Sequence, residues 1–261
     1  MPLTPFQEGV ARLLADHRAP DSYLAGGAAL HLQPNSLRYS NDLDYFNDSV
    51  ERVFEAFEQD ARALEASGYS LSSKVERRGF VRAIVSRGSE STKVEWVHDT
   101  AWRFLPAIRS PVAGFTLHPV DLAVNKVLAL VGRDEARDFL DTLEVHDQIL
   151  SLGALVWAAA GKDPGLSPPM ILGMLRRRGR YHPEDFARLA LQRQPDLVAL
   201  KGRWLAALEQ AEQFLRDRPP NELGCLYFSP SLDRFVRTPD EATDLVPHYG
   251  RPGGVLPIVG E

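Results

Sequence analysis

Two aspartates, Asp42 and Asp44, stand either side of a single leucine in the run SNDLDYF. In a strand, residues i and i+2 point to the same face with Cα atoms about 6.5 to 7 Å apart, so both carboxylates share a face while Leu43 and Tyr45 turn inward. Two like charges that close repel unless a cation lies between them. Mg²⁺ suits this role, because it takes oxygen ligands while keeping positions for water and substrate phosphates. Glu95, in KVEWV, is flanked by Val94 and Trp96 on a predicted strand. As a third carboxylate it would complete a metal clamp of the kind used for in-line phosphoryl or nucleotidyl displacement. Upstream, Gly26 and Gly27 follow a strand-like SYLA and precede a helix-like AALHL. Their backbone N–H groups can turn toward a phosphate with no Cβ in the way. Taken singly, an Asp-x-Asp pair reads as a solvated strand end and two glycines as a tight turn. Together with Glu95 they form a specific constellation.

The elements that must position these residues alternate helix and strand signals over residues 1 to about 115. FQEGVARLLADH has helical apolar spacing and DLDYF alternates. A helix is predicted from about Ser49 to Ala66, with Asp48 and Glu51 as a capping box, Val53, Phe57 and Leu64 on its apolar side, and Gly68 as its stop. Three strand-like runs follow, YSLSSKV, FVRAIVS and TKVEWV, the last two joined by an RGSES turn. From Pro119 to about Arg216 the pattern is helical, with Ser167-Pro168 and His182-Pro183 placed to begin helices. CLYFSPSLDRFVRTP has the pattern of a hairpin around SPSLD, and the tail VPHYGRPGGVLPIVGE that of irregular chain packed on the body. The whole is an α/β (α+β) pattern: a mixed-sheet domain over residues 1–115, a helical domain over 116–216, and a hairpin with tail over 217–261.

With 261 residues, 44% of them hydrophobic and 25% charged, the chain has the composition of an ordinary globular protein of one large or two smaller domains. Its single cysteine, Cys225, excludes an internal disulfide and a cysteine-rich metal site, fits a reducing cytoplasm, and reads as core. The start lacks the unbroken apolar core of a signal peptide, and LGALVWAAAG is about half the length that crosses a bilayer, so a cytoplasmic protein with no membrane partner is expected. Seven histidines with no pair at metal spacing count against zinc. The four tryptophans, Trp96, Trp102, Trp157 and Trp204, read as packing residues. A net charge of −5 excludes a surface that is basic all round. One segment, RRRGRYHPEDFARLALQR, nevertheless gathers Arg176, Arg177, Arg178, Arg180, Arg188 and Arg193. Contact with an RNA backbone there competes with the ordinary interaction of arginines with helix ends and solvent.

GG, fourteen residues, and then DLDYF resembles the first motif of the nucleotidyltransferase (polymerase β-like) superfamily, and GGAALHL…LRYSNDLDYF is closest to its AbiEii-type toxin branch. HPVDLAVNKVLALVGRDEARDFLDTL, residues 118–143, is similar to that branch's helical motif, in which a lysine is followed by an arginine and then an Arg-Asp pair with a further acid. The resemblance implies transfer of a nucleoside monophosphate from a nucleoside triphosphate with pyrophosphate leaving, the nucleotide lying in a cleft between a catalytic and a helical domain. It implies that Gly26 and Gly27 with Ser40 hold the triphosphate and that Asp42 and Asp44 ligate Mg²⁺. Glu95 takes the third acid position, where the superfamily more usually has aspartate, as metal ligand or as base for the attacking hydroxyl. Lys126 would neutralise a phosphate oxygen. Arg133, Arg137, Asp138 and Asp141 match the rest of the second motif, with Asp138 or Asp141 positioning nucleotide or acceptor. QPNS, between glycines and aspartates, reads as a loop insertion. By residue chemistry alone, Arg137 and Asp141 stand four apart and suit a solvated ion pair. Lys126, between Val124 and Val127 on a mostly apolar helix, needs a reason to be there, and a phosphate supplies one.

The toxin branch further implies half of a bacterial toxin–antitoxin or phage-defence pair, with a separately encoded antitoxin as partner and RNA, tRNA in particular, as acceptor. Two alternatives stay open: nucleotidyl transfer to a protein or small-molecule acceptor, and a non-catalytic nucleotide-binding module. Three metal-facing acids count against the second.

Overall fold

The computed structural model describes residues 3–32 and 38–258, so QPNS lies outside the described residues. The chain divides into two units, the first made of Met1–His118 with Ala190–Gln192 and Pro252–Gly254, the second of the rest.

In the first unit, α1 (Pro5–Leu14) begins under Thr4, whose hydroxyl accepts the Gln7 amide while the Gln7 side chain accepts the Thr4 N–H. Then follow β1 (Ser22–Ala25), α2 (Gly26–Leu30), β2 (Asp42–Asn47), α3 (Val50–Ala66), β3 (Ser70–Arg77), β4 (Phe80–Arg87), β5 (Glu90–His98), and the short β6 (Trp102–Arg103), β7 (Ile108–Ser110) and β8 (Gly114–Thr116). Seven of these strands form one sheet in the order β3-β4-β5-β2-β1-β8-β7. β2 runs antiparallel to β1 but parallel to β5, so the sheet is mixed. Alternation decides its two faces: Val81, Ala83, Val85, Val94 and Trp96 are fully buried, while Arg82, Lys93 and Glu95 between them remain partly open. Phe57 of α3 meets Trp96 edge-on with ring centroids 5.1 Å apart. Burying side chains of this size stabilises by roughly 1.5–3 kcal/mol each.

One polar residue sits inside that packing. Asp60 of α3, fully buried, accepts the Trp96 indole N–H at 2.7 Å and two hydrogen bonds from Arg18 at 2.5 and 2.6 Å. The charge is thus matched, and α3 is locked against the strand that carries Glu95. The start of α3 differs from the expected Asp48–Glu51 box. Ser49 is the cap, its hydroxyl accepting the Arg52 amide, because Asp48 is committed elsewhere: its carboxylate receives Arg103 Nη1 at 2.7 Å and Nη2 at 3.1 Å.

The second unit is largely helical: α4 (Pro119–Arg133), α5 (Ala136–Gln148), α6 (Leu152–Lys162), α7 (Pro168–Leu175), α8 (Pro183–Ala187) and α9 (Leu197–Arg216). Ser167 caps α7 ahead of Pro168, and α8 starts at Pro183. Almost every residue of α6 is buried, and Trp204 of α9 packs edge-on against Phe139 of α5 at 5.1 Å. The expected hairpin is β9 (Leu226–Ser229) with β10 (Arg234–Phe235). Part of the tail is more ordered than its composition suggests. Val246–His248 forms β11 on the other side of β9, where backbone pairing remained open. Among the described residues no helix is long and apolar enough to cross a membrane.

Candidate active site

The register of the first sheet builds the site. Ala25, the last residue of β1, is paired with Asp44, and Asp44 with Glu95 across the parallel β2–β5 junction. Two residue pairs along, Asp42 lies opposite Lys93. Register partners present their side chains on the same face, so both aspartates, Glu95 and Lys93 emerge together. Leu43 and Tyr45 are fully buried on the other face, as alternation requires.

Where β1 turns into α2, Gly26 adopts φ +61°, and a Cβ there would land on Asp44 Oδ2. Only glycine allows the turn and the carboxylate to approach so closely. A Cβ on Gly27 would stand 2.7 Å from Arg38 Nη2 and 3.4 Å from Ser40 Oγ, so this glycine opens toward a guanidinium and a hydroxyl. Ser40 Oγ donates to the Asp42 backbone carbonyl at 2.9 Å, and the Ser40 carbonyl accepts Gln7 Nε2 at 3.0 Å, which fixes the approach to β2 from α1.

Two of the acids, Asp42 and Glu95, converge on a cation that the protein itself provides. Lys93 Nζ lies 2.8 Å from Asp42 Oδ2 and 3.0 Å from Glu95 Oε1, and Arg82 Nε reaches the same Glu95 oxygen at 2.7 Å. Burial pulls the Lys93 pKa down, but hydrogen bonds to Asp42 and Glu95 outweigh it and the pKa is raised. Lys93 therefore stays an ammonium. Asp42 and Glu95 gather around one positive charge, and Asp44 stands in register with Glu95; an all-carboxylate set of this kind has the donor chemistry of a hard divalent cation site.

Lys126, Arg133, Arg137, Asp138 and Asp141 of the second motif lie in the second unit. Lys126 Nζ is 2.7 Å from Asp141 Oδ2 and 3.4 Å from Asp138 Oδ1, both acids being fully buried. Arg133 grips Asp138 through Nε at 2.6 Å and Nη2 at 2.9 Å, and Arg137 pairs with Glu135. The ammonium on an apolar helix thus has carboxylate partners in its own unit. Of the six arginines in the basic segment, Arg176 pairs with Glu212, and Arg178 with Asp134 at 2.9 Å. Arg177, Arg180, Arg188 and Arg193 are exposed. Cys225 is buried, and its thiol is pushed up to about 11 by that burial, so it is no nucleophile.

Sequence reading singled out neither Lys93, Arg82 nor Arg38. The first two were within reach of counting: Lys93 is two residues from Glu95 on the same strand face, and the tight β4–β5 hairpin, pairing Arg87 with Glu90, carries Arg82 to Glu95. Arg38 lies beside Gly27 at a spacing that no periodicity encodes.

The first unit thus sets a diglycine turn beside an Asp-x-Asp strand, with a third acid on the parallel neighbouring strand. The chain belongs to the family described as nucleotidyl transferase AbiEii toxin, type IV toxin–antitoxin system, whose profile matches residues 10–238. It is accordingly a nucleotidyltransferase of a toxin family, using a nucleoside triphosphate and releasing pyrophosphate. Among solved structures it is similar in fold to the nucleotidyltransferase toxin MenT4 from Mycobacterium tuberculosis, at 18% identity over 83% of each chain with a TM-score of 0.50. JHP933 from Helicobacter pylori matches at 16% identity over 80% of this chain and 92% of its own, with a TM-score of 0.44. No curated protein sequence matches the chain significantly.

Proposed function

We propose that the protein transfers a nucleoside monophosphate to a hydroxyl of RNA, tRNA in particular, in a Mg²⁺-dependent reaction, as a toxin restrained by a separately encoded antitoxin. The observation that carries the metal-dependent reading is the convergence of Asp42 and Glu95 on one cationic point, with Asp44 in the adjoining row. When bound there, Mg²⁺ supplies charge neutralisation for the triphosphate and for the leaving pyrophosphate.

The chain's own residues do the positioning. Gly26 and Gly27 leave room for phosphate oxygens to approach the backbone, and Ser40 with Arg38 beside Gly27 adds polar donors. The acceptor hydroxyl gives its proton to a base, Glu95 or solvent water, as its oxygen bonds to the α-phosphorus; the α–β bridging P–O bond breaks and pyrophosphate takes that electron pair. Glu95, opposite Asp44, takes the third acid position. Lys126, Asp138 and Asp141 are a buried, paired set of charges with the half-exposed Arg133 on Asp138, and together with Arg137, paired with Glu135, they form the second group, which supports nucleotide or acceptor binding. The exposed Arg177, Arg180, Arg188 and Arg193 offer positive charge to an RNA backbone.

Incubation with each labelled nucleoside triphosphate, Mg²⁺ and total cellular RNA tests this. Wild type is expected to label RNA, with small RNAs of tRNA size foremost, and Asp42→Ala to label none. Label appearing only on protein, or on nothing with any nucleotide, would overturn the RNA assignment.

A further inference from the structure

The oxygens that hold Lys93 are the ones a divalent ion would need. Its ammonium touches both Asp42 Oδ2 and Glu95 Oε1. Two cations on the same pair of carboxylates would face each other across a few ångströms and repel strongly. Lys93 and a divalent ion therefore compete for them. The Lys93 side chain is 32% exposed and sits on a flexible four-carbon stem, so its ammonium has room to leave. Resting on the nucleotidyltransferase reading, we propose that Lys93 is a displaceable internal counter-ion. It holds Asp42 and Glu95 together in the resting site, yields their oxygens when a divalent ion binds, and turns to a phosphate oxygen of the nucleotide.

Charge balance gives the consequence. Lys93 and Arg82 already match the charges of Asp42 and Glu95, and Asp44 adds one more negative charge, so a divalent ion arriving alone leaves positive charge in excess, which a triphosphate offsets. Metal and nucleotide must then bind cooperatively, each promoting the other by the same factor. A purely structural ion pair would neutralise the acids without linking the two ligands. Arg82 is the internal comparison, since it contacts Glu95 and extends from the neighbouring strand.

Mn²⁺ binding to the intact protein, read from the paramagnetic resonance of free Mn²⁺ with and without a non-hydrolysable α,β-methylene nucleoside triphosphate, tests the proposal. Lys93→Met is expected to bind Mn²⁺ alone about tenfold or more tighter than wild type, and to lose most of the enhancement that nucleotide gives. Lys93→Arg keeps a competing cation and should stay within about threefold of wild type, with thermal melts confirming that each variant folds. Arg82→Met should shift Mn²⁺ affinity less than Lys93→Met does. Equal shifts in Lys93→Met and Arg82→Met, or wild-type binding by Lys93→Met, overturn the role of Lys93. If Asp42→Ala meanwhile abolishes Mn²⁺ binding, the catalytic reading stands without it. If Asp42→Ala binds Mn²⁺ as wild type does, the metal site itself falls and Lys93's role falls with it.

Discussion

At Gly26 a backbone dihedral meets the carboxylate of Asp44, which we propose as a metal ligand. The residue lies at φ +61°, and any side chain there would collide with the Asp44 carboxylate. Gly26→Ala therefore combines about 1–2 kcal/mol of left-handed backbone strain with a displaced acid. Activity is expected to fall on the order of 10²-fold or more while the protein still melts cooperatively, because the misplaced group lies at the reacting centre. Near-normal turnover in a folded Gly26→Ala protein would break the link between this turn and Asp44. The acids themselves were legible because strand alternation is a period-two pattern that a reader can count. What repels two aspartates was legible too, but not its resolution. The cation on Asp42 is Lys93, and the parallel β2–β5 pairing that brings it there joins segments about fifty residues apart, which sequence spacing does not announce.

At the scale of elements, the start of α3 separates two candidate caps. Ser49→Ala should cost about 1 kcal/mol, the usual loss of a helix cap. Asp48→Ala should cost more, about 3–5 kcal/mol, since it removes a carboxylate partner of the buried Arg103 guanidinium. Urea unfolding of the two variants distinguishes them, and the reverse order would restore Asp48 as the cap. The helix and its limits were readable from apolar spacing, whereas the cap was misread because Asp48 and Ser49 are equally good in isolation. Only the partner, Arg103, decides. A pH dependence arises at α6. His146 Nδ1 accepts the Leu152 amide at 2.9 Å, and burial holds its pKa below the ordinary histidine value, with Arg237 and Arg203 lowering it further against Asp147. The unfolded chain binds the proton first, so this residue's contribution to stability is intact above the ordinary histidine pKa near 6.5 and declines as pH falls below it. His146→Asn, which cannot titrate, should flatten the denaturation midpoint across that window. An unchanged slope would show that His146 does not drive it.

For the whole molecule, the sequence pattern separates a mixed-sheet region from a helical one, because the hydrophobic period changes near Pro119. It does not reveal that the first unit also recruits distant chain. Leu191 bridges to Arg38, and the Gly253 N–H donates to the Ala101 carbonyl at 2.9 Å, so Ala190–Gln192 and Pro252–Gly254 belong to the unit that carries the acids. Such short returning segments have no periodicity of their own; what places them is backbone hydrogen bonding and close approach. Gly253 and Gly254 offer a paired test, since both have positive φ but differ in surroundings. A Cβ at Gly253 meets nothing within 4 Å, whereas one at Gly254 would strike the backbone of Leu105 and Pro106. Gly253→Ala should therefore cost only the dihedral strain, about 1–2 kcal/mol. Gly254→Ala should cost clearly more and should raise amide hydrogen exchange through residues 101–107 of the first unit, although the substitution lies about 150 positions further along the chain. Equal melting shifts for the two variants, with exchange at 101–107 unchanged, would mean that the returning segment merely lies alongside the first unit and does not stabilise it.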